Sequence, residues 1–239
     1  SYSGNIRFDG QVDFTMYNCY FNNTSRSTGH NGNILCTCNT QRVEIYNCTF
    51  IKPDSEGTEW NFYSEIFHSQ GGFEVHHCTF LGSACLDFSN KDDGASTKGS
   101  YDYTFSVHDN VFDTNSGTNP GYWISSGVHS RQKNAITFEK GTNFDTVYCY
   151  NNHIKHQANS ITVSTATSAD QYLHHFYIYN NLIENGGYSD YQYCYGIWIS
   201  IEGTSYSILY DNFHLWNNTI ISSNLEQGIM WSFDGTVSN

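Results

Sequence analysis

An all-β solenoid, one short coil stacked on the next, is the fold class that this sequence of 239 residues predicts. Two observations carry the prediction. A six-residue pattern occurs seven times, at residues 16–21, 45–50, 75–80, 107–112, 149–154, 178–183 and 215–220. It reads apolar, aromatic or His, polar, Asn or Cys, any residue, then Phe or Ile. The fourth positions are Cys19, Cys48, Cys78, Asn110, Asn152, Asn181 and Asn218, spaced by 29, 30, 32, 42, 29 and 37 residues. Repeats of this length mark solenoids, because one repeat cannot bury its apolar face alone and stacking its copies does. The second observation is the sixth position, which is Phe four times and then Ile three times. Stacking would place Phe21, Phe50, Phe80, Phe112, Ile154, Ile183 and Ile220 in one buried column.

Each copy reads as strand, tight turn, strand. Asn between two strands tolerates left-handed backbone angles, and stacked Asn side chains hydrogen-bond along a ladder. The column is expected to hold small thiols in the first three coils and amides in the last four. A further strand precedes each next copy, at about 34–38, 66–69, 84–88, 136–139, 161–164, 197–201 and 229–233, and most of these alternate apolar with polar residues. A possible strand near Ile6 opens the first coil. Between the strands lie polar insertions at 22–33, 52–63, 90–103, 113–133, 164–174, 184–193 and 203–212, and the longest accounts for the 42-residue step. Insertions in repeat proteins map to loops, often on one binding face.

Three short strands per coil, about seven coils and an Asn/Cys turn ladder describe a right-handed parallel β-helix. The pattern resembles the pectate-lyase-like family, whose coils often carry an Asn ladder at the turn between the second and third strands. That resemblance covers nearly the whole chain. It implies the fold, and it leaves lyases, hydrolases, phage tailspikes and passive adhesins open as functions. Residues 1–239 are read as one β-helix domain, expected to be part of a larger protein.

Composition narrows the partners. The formal net charge is −13, with 10 basic residues against 23 acidic ones. Nucleic acid and anionic membrane surfaces are therefore not expected partners. No apolar run is long enough to span a bilayer, so membrane insertion is not expected either. Aromatic residues make up 17%, including 19 Tyr. A polysaccharide or other glycan is the expected ligand, and a homotrimer or neighbouring chains the expected assembly, at an extracellular or virion surface. The eight cysteines are expected mainly as buried thiols, with Cys36 and Cys38 on one strand face. The glycosylation sequons at Asn22, Asn23, Asn47 and Asn217 carry little weight, and a glycan at Asn47 or Asn217 would be awkward in a repeat turn.

With apolar residues inward on the first strand of each coil, Asp87, Glu139, Ser164, Ser200 and Ser232 point outward in successive coils. Asp87 and Glu139 are thus the first candidate catalytic pair, with carboxyls about 5–8 Å apart, a spacing that covers retaining and inverting glycoside hydrolysis. Glu202 and Asp234 are the second choice. Tyr122, Trp123, His129, Arg131, Lys133 and Trp198 are candidate substrate contacts. The cluster of His129, Arg131, Lys133 and Lys140 is the one local basic spot, whereas the basic motifs of pectate lyases are not evident. No cofactor is expected. Calcium is the cation entertained, on Asp87, Asp92 and Asp93. No metal site is read from His153 and His156 or from the doublets His76-His77 and His174-His175, because strand neighbours point opposite ways. His76 and His108 are instead expected in an exposed stack with Tyr17, Tyr46, Tyr179 and Trp216.

Overall fold

The computed structural model describes residues 3–8, 13–22, 31–36, 42–52, 62–65, 72–82, 86–89, 104–113, 134–139, 143–156, 159–164, 171–184, 195–202, 208–210, 212–221 and 227–234. These residues form strands and the turns between them, in three parallel sheets. Sheet A runs Ser3–Phe8, Asn31–Cys36, Phe62–Glu65, Leu86–Ser89, Asn134–Glu139, Asn159–Ser164, Tyr195–Glu202 and Gln227–Asp234. Sheet B runs Asp13–Tyr17, Arg42–Tyr46, Phe73–His76, Thr104–His108, Asn143–Tyr150 and Gln171–Tyr179, which pairs with both Ile208–Tyr210 and Phe213–Trp216. Sheet C runs Tyr20–Asn22, Thr49–Lys52, Thr79–Gly82, Val111–Asp113, His153–Lys155, Leu182–Glu184 and Thr219–Ile221. Chain order A, B, C repeats seven times, and an eighth sheet-A strand follows. This is a parallel β-helix, and right-handed crossovers are the sense expected of parallel strands.

The six-residue pattern is the corner between sheets B and C. Its third residue is left-handed in every copy: Asn18, Asn47, His77, Asp109, Asn151, Asn180 and Asn217 have φ between 52° and 56°. Asn and Asp enter this region at lower cost than other residues, which explains their frequency here. His77 is the exception. Asn47 and Asn217 are exposed, so the turn does not crowd them as expected.

The fourth residue turns inward. The Asn110 side-chain amide donates to Asn152 Oδ1 at 3.1 Å, Asn152 to Asn181 Oδ1 at 3.0 Å, and Asn181 to Asn218 Oδ1 at 2.9 Å. The same oxygens accept the backbone N–H groups of Asn110, Asn152 and Asn181. Thiols continue the column: Cys48 Sγ accepts from the Cys19 N–H at 3.4 Å, and Asn110 Oδ1 accepts from the Cys78 N–H at 2.9 Å where the two chemistries meet. Cys19, Cys48, Cys78 and Cys149 are free thiols. Its hydrogen bond with Cys48 and its burial both push the Cys78 thiol up, so it stays protonated.

The sixth residue fills the core. Phe21, Phe50, Phe80, Phe112, Ile154, Ile183 and Ile220 lie in one unbroken register through sheet C. The five central residues are fully buried, and Phe21 and Ile220 pack partly buried against the same cluster. The Phe rings stack at 5.1, 5.0 and 4.6 Å. Sheets A and B face the same core through Phe88, Phe138, Phe73, Phe105 and Phe176.

Sheet A departs from expectation. Its third strand is Phe62–Glu65, four residues ahead of the expected 66–69, which lies outside the described residues. Its fourth begins at Leu86 instead of Ala84. That slip changes the rows. Glu139 pairs with Ser89 and Ser164, and Ser164 continues to Ser200 and Ser232. Asp87 belongs to the next row, opposite Thr137. Among the described residues no helix is long and apolar enough to cross a membrane.

Candidate functional site

The second residue of each corner points out of sheet B, and the seven rings form one continuous stack. Tyr17, Tyr46, His76, His108, Tyr150, Tyr179 and Trp216 follow one another at centroid distances of 5.2, 5.2, 5.0, 4.6, 4.9 and 4.3 Å, all within 10° of parallel. The expected stack is present and Tyr150 joins it, but only Tyr17 and Trp216 are exposed: the rings between them are half-buried, and His108 is buried. The inner ring faces are covered by their neighbours in the stack, so the column turns edges and heteroatoms outward.

A second outward row runs beside it, two residues back along each strand: Glu44, Glu74, Ser106, Tyr148, Tyr177 and His214. Tyr148, Tyr177 and His214 stack in their turn at 5.1 and 5.2 Å. Between Arg42, Gly72, Phe73, Glu74, Thr104, Ser106 and Tyr148 lies an open recess of about 310 Å³. Gly72 is required there, since a Cβ would stand 2.5 Å from the Thr104 carbonyl oxygen.

Charged groups converge beside the recess. His108 Nε2 lies 3.2 Å from Glu74 Oε1, and its Nδ1 lies 2.7 Å from Asp109 Oδ2. Arg42 Nη2 donates to Glu74 Oε2 at 3.4 Å. His76 Nε2 lies 3.7 Å from Glu44 Oε1, and its Nδ1 meets His77 Nδ1 at 2.8 Å. Partial burial opposes ionisation of Glu74. The hydrogen bond and charge of His108, the charge of His76 and the Arg42 hydrogen bond outweigh it and hold the carboxyl below its usual range. Asp109 is held down in the same way, by His108, Asn151 and His77 against its burial.

The strand rule used for the His doublets fails here. His77 and Asp109 are left-handed turn residues, not strand residues, so each swings back beside the ring before it. A signal was present in the sequence: at these two corners the repeat departs from its own Asn and Tyr.

The expected site residues are spread differently. Tyr122, Trp123, His129, Arg131 and Lys133 lie outside the described residues, as do Asp92, Asp93 and Lys140. Asp87, Glu139, Glu202 and Asp234 are placed by backbone register alone. Asp87 and Glu139 are diagonal across adjacent strands, while Glu202 and Asp234 are directly opposite. Along the row that passes through Asp87, Thr137 and Thr162 are buried; along the row that passes through Glu139, Ser200 is buried and Ser164 half-buried. Trp198 is half-buried, opposite Thr162 and Met230, with its ring 5.6 Å from that of Tyr195.

On sheet C, His153 hydrogen-bonds Glu184, with Lys155 4.0 Å from the same carboxylate. The His153 hydrogen bond leads the causes that hold Glu184 below the ordinary range. Its contribution to stability is therefore fully present above the unfolded Glu value of about 4.3 and is lost as pH falls through the lower folded value. Glu184→Gln should be less stable than wild type at neutral pH, and the gap should close below about pH 4. A gap unchanged across acid denaturation curves would sink this assignment.

No family model matches the chain, and no curated protein or solved structure is significantly similar to it.

Proposed function

We propose that the chain is a carbohydrate-engaging β-helix, the polysaccharide- or receptor-binding part of a tailspike- or adhesin-like assembly. The recess on sheet B carries the reading. It combines an aromatic wall, Tyr148, with Arg42, Glu74, Thr104 and Ser106 as hydrogen-bonding groups, the mixture that fixes a polyhydroxylated ligand in a concave site. The recess opens on a solenoid face whose rows repeat at about 4.8 Å, so a linear polymer lying along the axis meets a polar or aromatic side chain at each coil, from Glu44 and Glu74 through Ser106 to Tyr148 and Tyr177. Depressed Glu74 supplies an ionised acceptor, and Arg42 a donor. Binding to an array of neutral, basic and uronate glycans should weaken at least tenfold in Glu74→Gln and Tyr148→Ala variants that keep the wild-type melting temperature. If no glycan binds, the surface is a structural rod and the proposal fails.

Hydrolysis is the second reading, favoured by the register that sets Asp87 and Glu139 on adjacent strands and Glu202 directly opposite Asp234. Retaining enzymes hold their carboxyls about 5–5.5 Å apart and inverting ones about 6.5–9.5 Å. Cleavage products that vanish in Asp87→Asn and Glu139→Gln, with binding retained, would support it. A lyase acting on uronates would need the basic groups of the 113–133 insertion to face its substrate.

A further inference from the structure

We propose that His77, His108 and Asp109 form a binding site for one late first-row divalent transition-metal ion, with zinc as its probe. One ligand atom from each lies within 4.8 Å of the other two. A tetrahedral zinc ion with bonds near 2.0–2.1 Å holds its ligand atoms about 3.3 Å apart. Closing that gap falls to His77, which is exposed on its turn. His108 is already fixed, its ring held between His76 at 5.0 Å and Tyr150 at 4.6 Å. Two imidazoles and a carboxylate make a donor set for zinc and its neighbours, not for calcium or magnesium, which prefer all-oxygen shells.

The surroundings are those of ligand histidines. Metal-bound imidazoles commonly donate their other N–H to a carboxylate, which fixes the tautomer. Glu74 occupies that place at His108 Nε2, and Arg42 holds Glu74 in turn. The Nδ1 of His108 is then directed at Asp109 Oδ2, where a metal ion would replace the shared proton. His76 backs His77 through their Nδ1 atoms, and Glu44 stands beside the far nitrogen of His76.

The repeat itself supplies the comparison. The third corner residue is Asn in five copies and the second is Tyr or Trp in five. All four departures fall on two adjacent coils, as His76, His77, His108 and Asp109. The left-handed turn does not call for His77, because Asn enters that region at lower cost. The substitutions that remove the ligands are therefore the ones that restore the repeat: His77→Asn, His108→Tyr and Asp109→Asn.

The inference stands apart from the glycan reading and is tested without it. Chelator-treated protein is titrated with Zn²⁺ by calorimetry, and Co²⁺ is followed by visible absorption. One ion per chain is expected in wild type. The His77→Asn and Asp109→Asn variants should each lose at least 100-fold in affinity, Glu74→Gln at least tenfold, and the triple variant should show no site while keeping a cooperative thermal transition. Ca²⁺ and Mg²⁺ should not compete. Equal zinc affinity in wild type and the triple variant would assign the ion to other histidines and overturn the proposal. So would absence of zinc or cobalt binding at micromolar concentration.

Discussion

Asn181→Leu should destabilise the protein by roughly 3–5 kcal/mol, from the cost of leaving buried donors and acceptors unpaired. The Asn181 side chain makes four hydrogen bonds at the corner. Its amide donates to the Cys149 carbonyl at 2.9 Å and to Asn218 Oδ1. Its oxygen accepts both the backbone N–H and the side-chain amide of Asn152. Leucine of similar size fills the space and makes none of these bonds. Asn152 and the Cys149 carbonyl are buried, so water does not replace them. The first coils suggest the milder control. Cys48 accepts a backbone N–H from one neighbour and donates its own S–H to the Tyr46 carbonyl at 3.2 Å. Asn181→Cys should therefore cost less than half as much as Asn181→Leu. Denaturant midpoints that rank the two variants equally would show that the polar ladder contributes little.

Phe80→Ala should cost roughly 3–5 kcal/mol, the range for truncating a buried aromatic residue. The ring is fully buried between Phe50 and Phe112, at 5.0 and 4.6 Å. Its removal opens a cavity that both neighbours line, and backbone pairing on either side prevents collapse. Phe21→Ala in the first coil removes the same atoms from a partly exposed position, so its cost should be visibly smaller. Similar losses at the two sites, measured by thermal and chemical denaturation, would contradict a column whose strength lies in its middle.

The corner was legible from the sequence because three different requirements repeat together there. A left-handed turn selects Asn, a buried ladder selects amides or thiols, and the core column selects Phe or Ile. Sheet A was read less well, since its strands follow insertions of unequal length and carry no such anchor. Alternation alone allowed the two-residue slip that put Asp87 in the wrong row, and the four-residue one at Phe62–Glu65. The cluster at His76, His77, His108 and Asp109 was hidden by a rule correct for strands and wrong for turns. Once φ is positive at His77 and Asp109, sequence neighbours that would diverge converge instead.

The left-handed corner residue has one more consequence. At Asn18, Asn47, His77, Asp109, Asn151, Asn180 and Asn217 the backbone has the same shape, and the side chain serves neither the ladder nor the core. The rod therefore carries a graduated edge, with marks about 4.8 Å apart. What is written at one mark leaves the next unchanged, because stability in a solenoid is shared between nearest neighbours. The edge separates composition from architecture: a chain of this kind can exchange amide for imidazole or carboxylate one coil at a time, and keep its form while its chemistry moves along the axis.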